Sequence, residues 1–567
     1  MQFFFNINKY FLQKKERKNF LLIFFGIFIT TILELVSIAS IIPVFNIIIL
    51  DQFPSIFFFN FENYKFDNNF KLLALSVFIL IFVVKNLFIA GFNYFFINFI
   101  YELNIRISNS LFISSLKQNY LFFTKKNNNS FLRTVTDDVT NTSVWLLSVV
   151  NIVVEIFFIF AISIYLLWIS YEIFLLCFGI FIFSFSIYFM TFKERLKKWS
   201  IQHWDANGKI KQTVIEGISG IKDIIIYHLE DQFYNKFKLN SYLFNKTRFK
   251  FDFLNNIQKH WLETITVVAL TLSLIFLILF NYNINTLIPV FGVFVFALFR
   301  LLTSFNRVML QVQSIKFYYP SILSVINNFT TFESSNEYST NKSFEFKKNI
   351  ECKNLSFFYE KSSDKILKDI NFQVKKGESI GITGKNGSGK STLLNLISGL
   401  IKSSEGEISI DGSYNLYSNR KIWHEKISYV QQNIFILDST IKENICLVEE
   451  DKINYLKFNK ILRDLEINKF FKDIINDKVG TNGINLSGGQ KQIISLARAL
   501  YKDSQILILD EPSSALDLEN SKILKKILLS LKKQKTIIMV THDKDFYFDC
   551  FDKIIDIDCG QINFLKK

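Results

Sequence analysis

Six stretches of this chain are each long and oily enough to cross a bilayer, and nothing else in the sequence limits the fold so strongly. A hydrocarbon core about 30 Å thick needs about 20 consecutive apolar residues in a helix. Only a helix satisfies its backbone polar groups within one such segment. The stretches cover approximately residues 20–50, 72–100, 143–170, 173–192, 261–280 and 285–302. With 66 phenylalanines but only 5 prolines and 20 glycines among 567 residues, little interrupts long helices.

The loops orient these spans. Lys9, Lys14, Lys15, Arg17 and Lys18 precede the first. Arg106, Lys117, Lys125, Lys126 and Arg133 follow the second, and Lys193, Arg195, Lys197 and Lys198 follow the fourth. The loops between are poor in lysine and arginine, so both termini are expected in the cytoplasm. The net charge of +15 would suggest nucleic acid on a soluble chain. Here basic cytoplasmic loops account for it, and no nucleic-acid partner is expected. The two basic loops are long and look helical, so the spans are expected to continue beyond the membrane as a stalk. "FPSIFFFNFENYKF" (53–66) in the first outer loop suits either a short interfacial helix or a cover over helix ends.

Cys177, Cys352, Cys446, Cys550 and Cys559 form no CxxC pair, so neither a disulfide framework nor a zinc site is expected. The first apolar stretch is too long for the core of a cleavable leader. So few residues precede it that no fused peptidase domain is expected there.

Near Glu333 the pattern changes. "ESSNEYSTNKS" is a polar linker, and beyond it short apolar runs alternate with helical segments. A membrane domain over 1–335 and an α/β domain over 345–567 are expected.

"GKNGSGKST" (384–392) fits GxxxxGK(S/T), between the strand-like "SIGIT" and the helical "LLNLISGL". That context suits a phosphate-binding loop. Gly384, Lys385, Asn386, Gly387, Ser388 and Gly389 would present backbone N–H groups, and Lys390, Ser391 and Thr392 open a helix whose positive end faces the phosphates. Lys390 suits the β- and γ-phosphates of ATP, and Ser391 suits Mg²⁺. "QILILD" (505–510) reads as a buried strand ending at Asp510, the usual place for a carboxylate on the Mg²⁺ side. Glu511 follows, placed to polarise an attacking water. "LSGGQ" (486–490) is a second helix-opening glycine turn, and His542 ends the strand-like "TIIMVTH".

Taken with Gln432 in "YVQQNIF" and "SALD" (514–517), these motifs resemble the ATP-binding-cassette (ABC) family. Six spans followed by one cassette resemble its exporter-type half-transporters. The resemblance implies a six-helix, all-α transmembrane domain (the type IV exporter fold) followed by an α/β P-loop nucleotide-binding domain. It implies a homodimer with ATP between the Lys390 loop of one copy and Ser487, Gly488, Gly489 and Gln490 of the other. Tyr359 would stack on adenine, and Asp517 belongs to the nucleotide site. Ser391, Gln432 and Asp510 would hold Mg²⁺, Glu511 would be the general base, and His542 would steady the γ-phosphate. Three positions depart from the pattern: Thr481 where many exporters have glutamate, Ile493 where arginine is usual, and Asp543 where arginine is frequent.

The spans carry charge of their own. At 1.5 Å per residue, Glu34, Lys85, Glu155 and Arg300 lie roughly 18–23 Å along their helices, near mid-bilayer. Arg307 lies about 10 Å nearer the cytoplasm on the same face as Arg300. A charge facing lipid there costs at least ~2.5–3.5 kcal/mol. These side chains therefore either pair with one another or line a polar cavity for an anionic headgroup, which Arg suits. "ALFRLLTSFNRV" with "FYYPSI" resembles the last span of bacterial lipid-linked oligosaccharide flippases (PglK type). That implies a polyprenyl-diphosphate glycan as cargo at a bacterial inner membrane. Lipid A-type lipids or hydrophobic drugs are the alternative, and a peptide exporter or an ATP-gated channel comes after.

Overall fold

Proline divides the first apolar stretch. Pro43 has no N–H for the carbonyl four residues earlier, that of Ala39, and its ring crowds that position. In the computed structural model, which describes residues 14–49, 67–125, 128–169, 171–279, 284–334, 344–359, 365–471, 473, 478–543 and 547–565, helix α1 (Lys14–Ala39) ends there. Helix α2 (Ile41–Ile49) follows after a turn at Ser40. The single span expected over 20–50 is thus two helices. The aromatic stretch 53–66 and the linker beyond Ser334 lie outside the described residues.

Asp67 accepts a hydrogen bond from Asn68 N (2.7 Å) and starts α3 (Asn68–Leu116), four residues before the expected span. Short α4 (Tyr120–Lys125) and α5 (Asn128–Arg133) come next. A π-helical turn (Thr134–Asp138) then leads into α6 (Val139–Ile169). After it come α7 (Tyr171–Ser219), α8 (Ile221–Ile226), α9 (Glu230–Leu279), α10 (Ile284–Phe317) and α11 (Tyr319–Ser334). Six of these helices are long and apolar enough to span a membrane. Helices α3 and α7 have 49 residues each, roughly 70 Å, and so run well beyond a bilayer as unbroken rods. Helix α9 packs along α7, and α10 along α6. A Cβ at Gly26 would meet the Phe92 ring at 2.2 Å, so glycine there lets α1 approach α3. Ile38, Ile162, Phe181, Phe294, Ala297 and Leu301 belong to the largest apolar cluster of the bundle.

The chain forms two compact units. The first is Met1–Gln118 with Lys126–Ser335, and the second is Asn119–Lys125 with Asn336–Lys567. In the second, β1 (Asn349–Phe357), β2 (Leu367–Lys375), β4 (Glu405–Ile410) and β5 (Tyr414–Asn415) form an antiparallel sheet in the order β2-β1-β4-β5. The other sheet runs β10-β9-β3-β8-β7-β6. It comprises β3 (Ser379–Gly384), β6 (Ile427–Val430), β7 (Ile506–Asp510), β8 (Thr536–Val540), β9 (Lys553–Asp558) and β10 (Gln561–Leu565). All its pairings are parallel except that of edge strand β10. Strands β7 and β8 are buried at every position, which explains why they read as continuous apolar runs. Besides α4, which falls in the segment Asn119–Lys125, the α-helices described in this unit are α12 (Lys390–Ile397), α13 (Arg420–Lys426), α14 (Ile441–Cys446), α15 (Tyr455–Asp464), α16 (Gly488–Lys502), α17 (Leu518–Leu531) and α18 (Tyr547–Cys550).

Candidate nucleotide site and membrane charges

Strand β3 delivers the chain into a loop that only glycine can shape. Gly384, Gly387 and Gly389 have φ of 142°, 79° and 103°. A Cβ on Gly384 would lie 2.3 Å from the Ile557 carbonyl oxygen. Lys385, Asn386 and Gly387 form the exposed crest, while Ser388 and Lys390 are buried beneath it. Lys390 Nζ donates to the carbonyls of Gly384 (2.8 Å) and Lys385 (3.0 Å), folded back over its own loop. The Ser388 hydroxyl is buried without a hydrogen-bond partner among the described residues. Helix α12 begins at Lys390, so Ser391 and Thr392 stand in its first turn.

Parallel pairing of β3, β8 and β7 brings the ends of three strands together at this loop. Ser391 Oγ reaches Asp510 Oδ1 at 3.4 Å. Asp510 is 5% exposed, and burial raises its pKa above the ordinary value. The Ser391 hydroxyl opposes that shift, and the neighbouring charge of Glu511 adds to it. Glu511 adopts φ 51°, left-handed backbone that costs a non-glycine residue about 1–3 kcal/mol. Its N–H is held by the Val540 carbonyl (3.0 Å). Gln432 Nε2 donates to Glu511 Oε2 (2.8 Å), and His542 Nε2 lies 3.6 Å from Oε1. Gln432 therefore engages Glu511 rather than Ser391 or Asp510.

The other expected residues lie apart from this cluster. Tyr359 packs edge-on against Phe357 (4.9 Å). Ser487 caps α16: its Oγ accepts from Gln490 N (3.2 Å), while its own N–H donates to Gln490 Oε1 (2.8 Å). Gly488 and Gly489 lie so near Ala515 that a Cβ on either would sit 3.4 or 3.1 Å from it. Asp517 caps α17, accepting from Asn520 N (2.9 Å). The departures each have a local setting. Thr481 Oγ1 donates to Asp438 (3.2 Å), and Ile493 is 5% exposed within an apolar core where a guanidinium would be stranded. Asp543 N donates to Thr541 Oγ1 (3.1 Å).

Sequence reasoning missed Arg498. Its Nε donates to the Asn444 carbonyl (2.9 Å) and its Nη1 to that of Phe435 (3.0 Å), which fixes the segment after Gln432. An arginine inside the apolar "SLARAL" was the available signal.

In the bundle the charges find one another. Glu34, 5% exposed, accepts from Arg300 Nε on one oxygen and lies 3.3 Å from Lys85 Nζ on the other. Lys85 also reaches Ser37 Oγ (3.4 Å), and Arg300 Nη1 donates to Thr303 Oγ1 (3.0 Å). The Arg300 guanidinium lies 5.1 Å from the Phe158 ring centroid. Arg307 Nη1 donates to Glu155 Oε1 (2.9 Å), but the Arg307 side chain is 56% exposed. Of the two uses open to these residues, mutual pairing is the arrangement present. Arg307 alone among them keeps most of its surface free.

A family model described as "ABC transporter transmembrane region" matches residues 20–306, and one described as "ABC transporter" matches residues 367–514. The ATP-dependent lipid A-core flippase of Pasteurella multocida is 33% identical over 237 residues, 41% of this chain and 40% of that protein. Its counterpart in Pseudoalteromonas translucida is 36% identical over 221 residues, 38% of this chain and 37% of that one. The chain thus spans about two fifths of the length of the curated relatives it matches. A solved bacterial Atm1-family ABC exporter with ATP bound superimposes with a TM-score of 0.78 at 17% identity, covering 96% of this chain and 94% of that one, a likeness of fold. With six apolar helices ahead of a phosphate-loop α/β unit, and with the transmembrane model alone matching half its length, this chain belongs to the ABC transporter family.

Proposed function

We propose that the protein is an ATP-driven lipid exporter of a bacterial inner membrane, acting as a homodimer with both termini in the cytoplasm. The observation that carries this is Glu511, held in strained backbone beside Asp510 and braced by Gln432. A carboxylate fixed there suits proton abstraction from water. The left-handed glycines and the Ser388 hydroxyl, without a partner among the described residues, suit a polyphosphate, and a buried Asp510 approached only loosely by Ser391 suits a divalent cation. Bound ATP supplies a bond to hydrolyse, and Mg²⁺ supplies positive charge beside its phosphates. Lys390 would hold the phosphates, and Ser391, Gln432 and Asp510 the metal. Glu511 would take the proton and His542 steady the terminal phosphate. Ser487 to Gln490 of a second copy would close the site, with Tyr359 against the base and Asp517 shaping the turn between.

The flippases named above favour a lipid A-type cargo over the polyprenyl-diphosphate glycan suggested by the last span. For headgroup contact Arg307 is the strongest candidate, since Arg300, Lys85 and Glu34 already satisfy one another. The test is reconstitution in proteoliposomes with fluorescent lipid A and, separately, a fluorescent lipid-linked glycan. ATP-dependent leaflet transfer of lipid A is expected. Transfer of the glycan alone would restore the other cargo, and transfer of neither would end the lipid reading.

A further inference from the structure

Strand β6 ends at Val430, just short of Gln432, and residues 431–439 form neither helix nor strand. Side chains hold this segment instead. Asn444, fully buried on α14, accepts from Leu437 N (2.9 Å) and donates to the Leu437 carbonyl (3.0 Å). Arg498 Nη1 donates to the Phe435 carbonyl (3.0 Å), Nε to the Asn444 carbonyl (2.9 Å) and Nη2 to Asn444 Oδ1 (3.4 Å). A planar guanidinium reaches both stretches in fixed directions at once, whereas an ammonium is a point on a flexible stem. The segment after Gln432 therefore hangs from Arg498, and Arg498 belongs to α16.

The opening turn of that helix carries the other half of the argument. Ser487 and Gln490 close the turn with reciprocal bonds, and Gln490 Nε2 donates to the Phe470 carbonyl (3.2 Å). In the homodimer proposed above, this turn meets the nucleotide held by the other copy's Lys390 loop. Arg498 stands roughly 15 Å further along the same rod, so a displacement of the turn carries Arg498 with it. From Arg498 the path runs to the Phe435 carbonyl, back along the chain to Gln432, and from Gln432 Nε2 to Glu511 Oε2 (2.8 Å). Glu511 depends on such a brace, since its backbone is strained at φ 51°. The Lys390 loop lies outside this path. Slack at Arg498 would therefore disturb hydrolysis more than nucleotide retention.

We infer that Arg498 is a positioning residue that couples the two nucleotide sites: ATP met by the first turn of α16 in one site sets, through Arg498, how Gln432 holds Glu511 in the other. The inference rests on the ATP-hydrolysing homodimer proposed above. The experiment is phosphate release by the full-length protein in neutral proteoliposomes, measured against ATP concentration, with nucleotide retention measured beside it. Two sites allow a Hill coefficient of up to 2, and about 1.5 is expected of wild type. Arg498→Gln should bring the coefficient to about 1 and lower the saturated rate about tenfold, with nucleotide still retained. Arg498→Lys, which keeps the charge without the fork, should fall between. A residue that only supports folding would lower the rate through the active fraction and leave the coefficient as it was. A wild-type coefficient near 1 overturns the coupling without any variant. A wild-type coefficient retained in both Arg498→Gln and Arg498→Lys removes Arg498 from it. Cooperative hydrolysis lost on Arg498→Gln, in protein that moves no lipid, ends the export reading and upholds this one. Lipid transfer with an unchanged coefficient in both variants does the reverse.

Discussion

Glu34 and Asp510 are carboxylates of equal exposure, 5% each, in very different company. Glu34 faces two cations, Lys85 and Arg300, one on each oxygen. Asp510 has the Ser391 hydroxyl at 3.4 Å, the Tyr429 hydroxyl and the charge of Lys390 in its favour, but Lys390 Nζ donates to its own loop's carbonyls, and another carboxylate, Glu511, is next along the chain. In the bundle a charge survives only by pairing, because lipid supplies nothing else. In the cassette a buried charge is left under-compensated, and such places are characteristically functional. Equal burial thus carries opposite meanings: one carboxylate is spent on the fold, and the other is available to a ligand.

The largest test of this contrast lies beside Asp510. Glu511→Gln should lower ATP hydrolysis by about 10²–10⁴-fold while nucleotide still binds, read as phosphate release against nucleotide retention. Turnover near wild type would remove Glu511 as the base. Next, Glu34→Gln should destabilise the bundle by about 3–5 kcal/mol, because it strips the negative partner from two buried cations. Asp510→Asn should do the reverse in nucleotide-free protein, raising the melting temperature while hydrolysis is lost. Thermal unfolding of both variants in one detergent decides it, and destabilisation by Asp510→Asn would break the comparison.

The pH dependence sharpens the same point. The folded-state pKa of Asp510 is raised, so the folded protein binds the extra proton more readily than the unfolded chain. Its contribution is therefore most favourable at low pH and is lost as pH rises through the raised value. The stability advantage of Asp510→Asn should be full above that value. It should shrink as pH falls toward the ordinary aspartate range near ~3.9. A smaller effect is expected at Arg307, whose side chain is mostly exposed. Arg307→Ala should lower lipid moved per ATP hydrolysed by a few-fold, and an unchanged ratio would confine Arg307 to its pair with Glu155. Smallest of all, Thr481→Val should shift stability by about 0.5 kcal/mol or less, since its bond to Asp438 is at the surface.

Local rules carried far in this chain. Apolar length alone marks the bilayer-crossing helices, and glycine spacing marks the phosphate loop, because both depend on contiguous residues. The break at Ser40 was also within reach, since Pro43 removes a specific hydrogen bond. Arg498 was harder: what it holds, Phe435 and Asn444, lies more than fifty residues earlier in the chain. The membrane charges were legible as a set but not as pairs, because Glu34 and Arg300 meet across 266 positions.

The amino-acid order by itself determined which segments are oily, where the phosphate loop turns, and which side chains carry charge. Only the tertiary structure decided that Arg300 and Lys85 share Glu34, that Gln432 braces Glu511, and that Arg498 holds the carbonyls of Phe435 and Asn444. The physical reason is common to all three. Helix and loop signals arise from neighbours in the chain, whereas a buried charge takes its meaning from whichever distant groups the packing sets beside it.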